Sequence, residues 1–249
     1  LIGSKALGFS LAEACSIGII GGADGPMAIY TTMQLAPHLL PQISVAAYSY
    51  MALMPLIQPP VMRLLTTKKE RQIIMKQPRY VSRLEKVVFP IVIIIIVNLF
   101  LPPVAPLITM LMLGNLLREC LLLDRMAETV SNSLLNVITL ILTVAIGSTM
   151  KADTFLTEQT LLIIFLGLVA FVFGTASGVV CARIMNKISK GKINPLIGSA
   201  GIASVPIAAR VSHMVGQEEN KNNFLIMHAM GPNLAGVFGT AISGGIMLA

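Results

Sequence analysis

The sequence predicts an all-α, polytopic transmembrane helical bundle with interrupted helices and inverted-topology repeats. Three observations predict it. Of 249 residues, 55% are hydrophobic and only 12% are charged, about half the charge of an ordinary soluble domain, and the mean hydropathy is +0.82. The apolar residues come in long runs that do not alternate, which favours helices in lipid over a barrel. Eight of the eighteen Lys and Arg residues lie between Arg63 and Lys86, as the positive-inside rule arranges them in a cytoplasmic loop. That clustering also argues against a nucleic-acid binder despite a net charge of +7, because the basic residues are not spread over a face. Cys15, Cys120 and Cys181 are far apart and form no CxxC, so they read as inert thiols.

Taken in order, the first apolar segment runs from Leu11 to about Ala36 and is broken at Gly21-Gly22-Ala23-Asp24-Gly25-Pro26. Such a run does not continue a helix; it reads as two half-helices meeting at an unwound turn. The second segment, about Ile43 to Leu65, carries Tyr48, Tyr50 and Gln58-Pro59-Pro60, and leads into the basic loop. The third, Val87 to Leu101, holds the lipid-facing run Ile91 to Val97. Pro102, Pro103 and Pro106 then turn the chain. The fourth, Leu107 to Leu117, is short for a span and reads as tilted or re-entrant. Arg118 to Glu128 is polar enough for an interface. The fifth is Leu134 to Met150, followed by a loop with Lys151, Asp153 and Glu158. The sixth, Leu161 to about Met185, closes on Lys187, Lys190 and Lys192. This second basic cluster also reads as cytoplasmic, so an even number of crossings separates Lys86 from Lys187. Asn194 to Ala209 is an interrupted half-span, Arg210 to Asn222 is polar, and Asn223 to Ala249 reads as a span broken at Gly231-Pro232-Asn233.

The resulting organisation is 1–62 as the end of a first repeat, 63–86 as a basic cytoplasmic loop, and 87–249 as a second repeat with breaks at 194–210 and 231–233. The repeat rests on the likeness of Gly22-Ala23-Asp24-Gly25-Pro26 to Ala229-Met230-Gly231-Pro232-Asn233. Interrupted helices in matching positions mark transporter binding sites. A second half longer than the first places roughly a hundred or more residues upstream of Leu1, and a start without Met or signal peptide fits a chain beginning partway through a longer protein.

Asp24 is the sharpest chemical feature. No other charge lies between Ala14 and Gln34, and a carboxylate at membrane depth costs several kcal/mol unless paired or hydrated. An unwound turn offers free carbonyls beside an anionic oxygen, which suits a hard cation such as sodium. Protons compete for the same oxygen. The structural alternative is an Asp that caps the half-helix starting at Pro26. Asn194 and Asn233 are neutral oxygen donors at breaks; Asn194 doubles as an N-cap before Pro195. Arg210 could hold an anionic substrate or anchor at the interface. Tyr48, Tyr50 and Ser204 are candidate hydroxyls, whereas His38, His213 and His228 lack metal-ligand spacing and read as structural.

The stretches IGIIGGADGPMAIYTT (Ile17 to Thr32), SYMALMPLIQPP (Ser49 to Pro60), NPLIGSAGIASVPIAARV (Asn194 to Val211) and MHAMGPNLAGVFGTA (Met227 to Ala241) closely resemble the beta subunits of bacterial sodium-pumping decarboxylases acting on oxaloacetate, methylmalonyl-CoA and glutaconyl-CoA. The resemblance implies a membrane subunit that decarboxylates carboxybiotin, exports sodium and consumes a proton. It implies a carboxyltransferase alpha subunit, a biotin carrier domain and a small membrane-anchored gamma subunit as partners. It further implies a homo-oligomeric arrangement in the cytoplasmic (inner) membrane. It carries the essential carboxylate to Asp24, catalytic roles to Tyr50, Arg210 and Ser204, carboxybiotin contacts to Asn194 and Arg210, and sodium ligation to Asp24, Asn194, Gly198 and Asn233. One departure stands out: where the family often has serine, this chain has Ala203 followed by Ser204, a shift of about 100° around a helix, so either Ser204 supplies the hydroxyl from a shifted backbone or the serine's role is not general. Two rivals predict different behaviour. A sodium-coupled secondary transporter of a small carboxylate needs no biotin, and a non-catalytic scaffold tolerates loss of Asp24, Asn194 and Asn233.

Overall fold

A computed structural model describes residues 1–77, 79–120, 123–151, 155 and 157–248. Its elements are helical throughout: α1 Ile2–Ala6, α2 Leu11–Gly18, α3 Gly25–Leu35, α4 Leu40–Leu65, α5 Lys68–Arg71, α6 Arg83–Phe100, α7 Ala105–Glu119, α8 Asp124–Thr129, α9 Leu135–Thr149, α10 Glu158–Ile188, α11 Ile207–Glu219 and α12 Ile226–Leu248. Among the described residues, three stretches are long and apolar enough to cross a bilayer: Pro37–Leu65, Asp124–Ser148 and Glu158–Ile188. The chain is a multi-pass membrane protein.

The first segment forms as its sequence dictates. Helix α2 starts in a capping box between Ser10 and Glu13 and tightens into a 3₁₀ turn, Ile19–Gly22. Ala23 adopts the left-handed conformation at φ 53°. Helix α3 then restarts with Asp24 as N-cap and Pro26 in its first turn, where a missing N–H costs nothing.

At the centre lies α10, 31 residues long and so roughly 46 Å from end to end. It packs against α4, the Ile19–Gly22 turn and a second 3₁₀ segment, Pro195–Gly201. Small residues make these approaches possible. A methyl group on Gly174 would sit 2.8 Å from the Gly21 carbonyl oxygen, and one on Gly178 would collide with the Gly198 carbonyl. Backbone therefore lies directly on backbone at both interrupted segments.

Helices α6 and α7 form an antiparallel hairpin. Asn98 bonds Thr109 at 3.1 Å, Lys86 pairs with Glu119 at 3.6 Å, and Arg83 reaches the Cys120 carbonyl. The fourth segment thus comes back level with the basic loop and is no re-entrant stub. Its helix is longer than the apolar run because its last turn is polar. Helix α8 runs on through a π-helical turn, Val130–Leu134, into α9, so the fifth span begins ten residues before Leu134. Asp153 lies outside the described residues.

The basic loop is pinned. The Arg71 guanidinium is buried and bonds Glu219 through Nε at 2.9 Å and Nη2 at 2.7 Å. Arg183 bonds Glu70 at 2.8 Å and Arg63 pairs with Glu218. The C-terminal end of α10 therefore shares an end of the molecule with the loop, as the two basic clusters predict. At the start of α6, Arg79 and then Ser82 hold the exposed Glu85 carboxyl down at about 2. Its contribution to the helix start is complete above the ordinary carboxylate range and fades only as pH falls toward 2.

One segment gains a form and one expectation changes. The polar stretch from Arg210 to Asn222 is mostly helix α11, amphipathic, with Ala208, Val211, Ser212 and Val215 buried. Gly231-Pro232-Asn233 does not break its span: α12 is helical from Ile226 to Leu248 with Pro232 inside. Proline forfeits one backbone bond, to the carbonyl four residues earlier, and within lipid the helix continues wherever neighbours satisfy what is freed. The true second interruption is at 195–206, a 3₁₀ segment, Pro195–Gly201, followed by non-helical chain up to the cis Val205–Pro206 bond. The breaks at 24 and 233 on which the repeat was aligned do not share a backbone form.

Candidate functional site

The two interruptions meet. The Ala203 N–H donates to the Gly22 carbonyl at 2.8 Å, joining the turn before Asp24 to the non-helical chain after Gly201. Asn233 of α12 donates from Nδ2 to the Ile202 carbonyl at 2.6 Å. A bare backbone carbonyl in lipid is costly, and here each break answers part of the other's demand.

Asp24 stands at this crossing, 7% exposed. Its Oδ1 accepts from the Met27 N–H at 3.0 Å, and its Oδ2 accepts from the Thr240 hydroxyl at 2.8 Å. Asp24 is thus both an N-cap and a buried acid. Among the described residues it has no cationic side-chain partner. Each carboxylate oxygen keeps a lone pair after these two bonds. No group of three or more His, Cys, Asp or Glu gathers among the described residues, so the oxygen donors here are one carboxylate, hydroxyls, amides and carbonyls.

Two cavities flank the crossing. The larger, about 770 Å³, is mainly apolar and is lined in part by Asp24, Ser44, Tyr48, Ser49, Thr139 and Thr143. The smaller, about 510 Å³, is lined in part by Gly22, Gly198, Gly236 and Thr240. Ser44 Oγ, Ser204 Oγ and Asn233 Oδ1 are buried without a hydrogen-bond partner, a cost of about 1–3 kcal/mol each unless a water or ion answers them.

The structure distributes the sequence-derived residues unevenly. Asn233 and Ser204 are fully buried beside the crossing, Asn233 through Ile202 and Ser204 as the neighbour of Ala203. Gly198 lines the smaller cavity. Asn194 lines neither cavity. It is fully buried, but its Oδ1 accepts from Leu196 N–H at 3.0 Å and its Nδ2 donates to the Arg71 and Ile73 carbonyls at 2.9 Å each. This geometry is that of an N-cap, and it leaves Oδ1 one further lone pair. Tyr50 turns away: its hydroxyl donates to the Ile164 carbonyl and its ring stacks on Phe171. Tyr48, two residues earlier and so on the opposite side of α4, lines the Asp24 cavity instead. Arg210 is exposed in the first turn of α11 and lines neither cavity. Thr240 escaped the sequence reading. Its signal was its place two turns after Asn233 on an otherwise small and apolar helix.

A family model for the Na+-transporting oxaloacetate decarboxylase beta subunit matches residues 1–249. The chain is 59% identical over 249 residues to the glutaconyl-CoA decarboxylase subunit beta of Acidaminococcus fermentans, covering 100% of this chain and 66% of that protein. It is 58% identical over 247 residues to the methylmalonyl-CoA decarboxylase subunit beta of Veillonella parvula, covering 99% and 66%. It is 57% identical over 242 residues to the oxaloacetate decarboxylase beta chain of Klebsiella pneumoniae, covering 97% and 56%. The chain therefore spans less than two thirds of the length of these relatives.

Proposed function

The chain belongs to the family of Na+-transporting oxaloacetate decarboxylase beta subunits, and from that premise we propose that it forms the membrane part of a biotin-dependent decarboxylase that exports sodium. Carboxybiotin, delivered by a partner's biotin carrier domain, is the substrate; loss of its carboxyl group as CO2 supplies the driving energy and consumes a proton. A carboxyltransferase alpha subunit and a small gamma subunit complete the assembly in the cytoplasmic membrane, and several copies of the chain sit together within it.

One observation carries the reading: a carboxylate withdrawn from water, at the crossing of two interrupted segments, with hydroxyl and amide donors but, among the described residues, no cationic side-chain partner. Such a group is tolerable in lipid when a cation or a proton neutralises it. Sodium suits the donor set, since hard cations prefer oxygen. The unpartnered oxygens of Asn233 and Ser204, buried beside the same crossing, are neutral candidates to complete its shell. Binding of sodium and protonation of Asp24 exclude one another, which couples ion release to proton uptake at a single side chain. Where the carboxybiotin headgroup sits is a question for the larger cavity, whose hydroxyls at Ser44, Tyr48 and Ser49 can orient a polar ring edge. Arg210 lies outside that cavity, so its contribution would be at the entrance or to the partner.

The test is Asp24→Asn in the assembled complex, reconstituted in sealed vesicles. Substrate-driven sodium uptake should fall to background, and avidin should abolish the uptake of the unaltered complex. Uptake at the normal rate in the Asn variant would remove Asp24 from the mechanism. Avidin-insensitive uptake would favour a secondary transporter.

A further inference from the structure

The Asp24–Thr240 bond joins a residue lining the larger cavity to one lining the smaller. The chain passes from the smaller cavity to the larger between Gly22 and Ala23, and again between Ile202 and Ala203. On α12, Val237 faces the larger cavity while Gly236 and Thr240 face the smaller. The partition is thus built of Gly22–Asp24, Ile202–Ala203 and one turn of α12. It is closed by the Ala203–Gly22 backbone bond and by the Thr240 hydroxyl on Asp24. The Thr240 side chain also lies flat on Gly22, where any Cβ would strike its methyl group.

Thr240 has an alternative. Its Oγ1 lies 2.8 Å from Asp24 Oδ2, 3.1 Å from the Gly236 carbonyl and 3.0 Å from the Val237 carbonyl. A hydroxyl has one proton to give and two lone pairs to offer. Donating to Asp24, Thr240 seals the carboxylate. Donating to Gly236 or Val237, it releases Asp24 Oδ2 and turns a lone pair toward the same space. The bond to the carboxylate is the stronger, being charge-assisted, so the exchange is favourable only when a cation takes Oδ2 in place of the hydroxyl proton.

We propose that Thr240 is the coupling residue of the partition: its hydroxyl switches between sealing Asp24 and serving as an oxygen ligand to the sodium ion, so that the ion leaves one cavity only as it engages the other. The assignment rests on the sodium-pump reading above and adds to it a residue and a route.

The experiment uses the assembled decarboxylase in sealed vesicles, with radiolabelled sodium uptake and substrate turnover measured together across sodium concentrations. Thr240→Val keeps the shape and deletes the hydroxyl; Thr240→Ala repeats the deletion should Val not assemble. Both should raise the sodium concentration for half-maximal turnover about tenfold and lower the sodium moved per substrate turned over. Thr240→Ser, which keeps the hydroxyl, should stay within about twofold of the unaltered protein. Unchanged half-saturation and unchanged sodium per turnover in the Val or Ala variant would overturn the proposal. So would a Ser variant as impaired as Val, since the methyl contact with Gly22 would then be what matters. Unaltered protein that turns over substrate without moving sodium would overturn the pump reading itself, and the coupling role with it.

Discussion

Asn194 separates a ligand from a strut. Both of its N–H bonds and one lone pair of its Oδ1 are directed at Arg71, Ile73 and Leu196, so Asn194→Ala should lower the thermal unfolding midpoint of the detergent-solubilised complex. Leaving buried partners unpaired costs about 1–3 kcal/mol each. An unfolding midpoint equal to that of the unaltered protein would refute the strut role. Asp24 was legible in the sequence because a solitary charge in an apolar run needs a reason. Thr240 was not, because a threonine in a membrane helix ordinarily bonds its own helix, and only the tertiary approach of α3 to α12 gives it a second acceptor. Choosing between Tyr48 and Tyr50 needed the rotation of α4, which its prolines at 55, 59 and 60 obscure in the sequence pattern.

At the level of elements, glycine pairs decide how the interrupted segments seat on α10. Gly178→Ala would push a methyl into the Gly198 carbonyl, a backbone atom that has no rotamer to escape by. Overpacking of this kind costs about 1–3 kcal/mol. The variant should assemble with a lower unfolding midpoint and impaired sodium uptake, whereas Gly114→Ala, which meets open space, should match the unaltered protein in both measurements. An equal response from the two variants would show that this close approach does not matter. The interruption at 21–26 could be read from glycine and proline density, and that at 194–206 likewise. The same rule failed at 231–233: a single Gly-Pro pair inside an apolar helix is too weak a signal, since one lost backbone bond does not stop a helix that its neighbours hold.

For the molecule as a whole, charge sorts the two ends. Arg63, Arg71 and Arg183 gather with Glu70, Glu218 and Glu219 at one end, while Glu13 and Glu158 share a small surface cavity at the other end of α10. In a background lacking Cys120 and Cys181, Lys76→Cys and Glu158→Cys should react with a membrane-impermeant thiol reagent from opposite faces of the bilayer, Lys76→Cys from the cytoplasmic face. Labelling of both from one face would contradict the topology. Positive-inside counting anticipated that the two basic clusters share an end, and its even number of crossings already allowed α7 to return in full; the short apolar run left the fourth segment open to a re-entrant reading, because the hairpin's closing pair, Lys86 and Glu119, lies outside both apolar runs. The wall at Asp24 has a further consequence. At Gly22–Ala23 and Ile202–Ala203 the floor of one chamber is the ceiling of the other, so a displacement of that wall which widens one chamber narrows the other. Occupants that press on it from opposite sides are then antagonists by bulk, before any charge is counted.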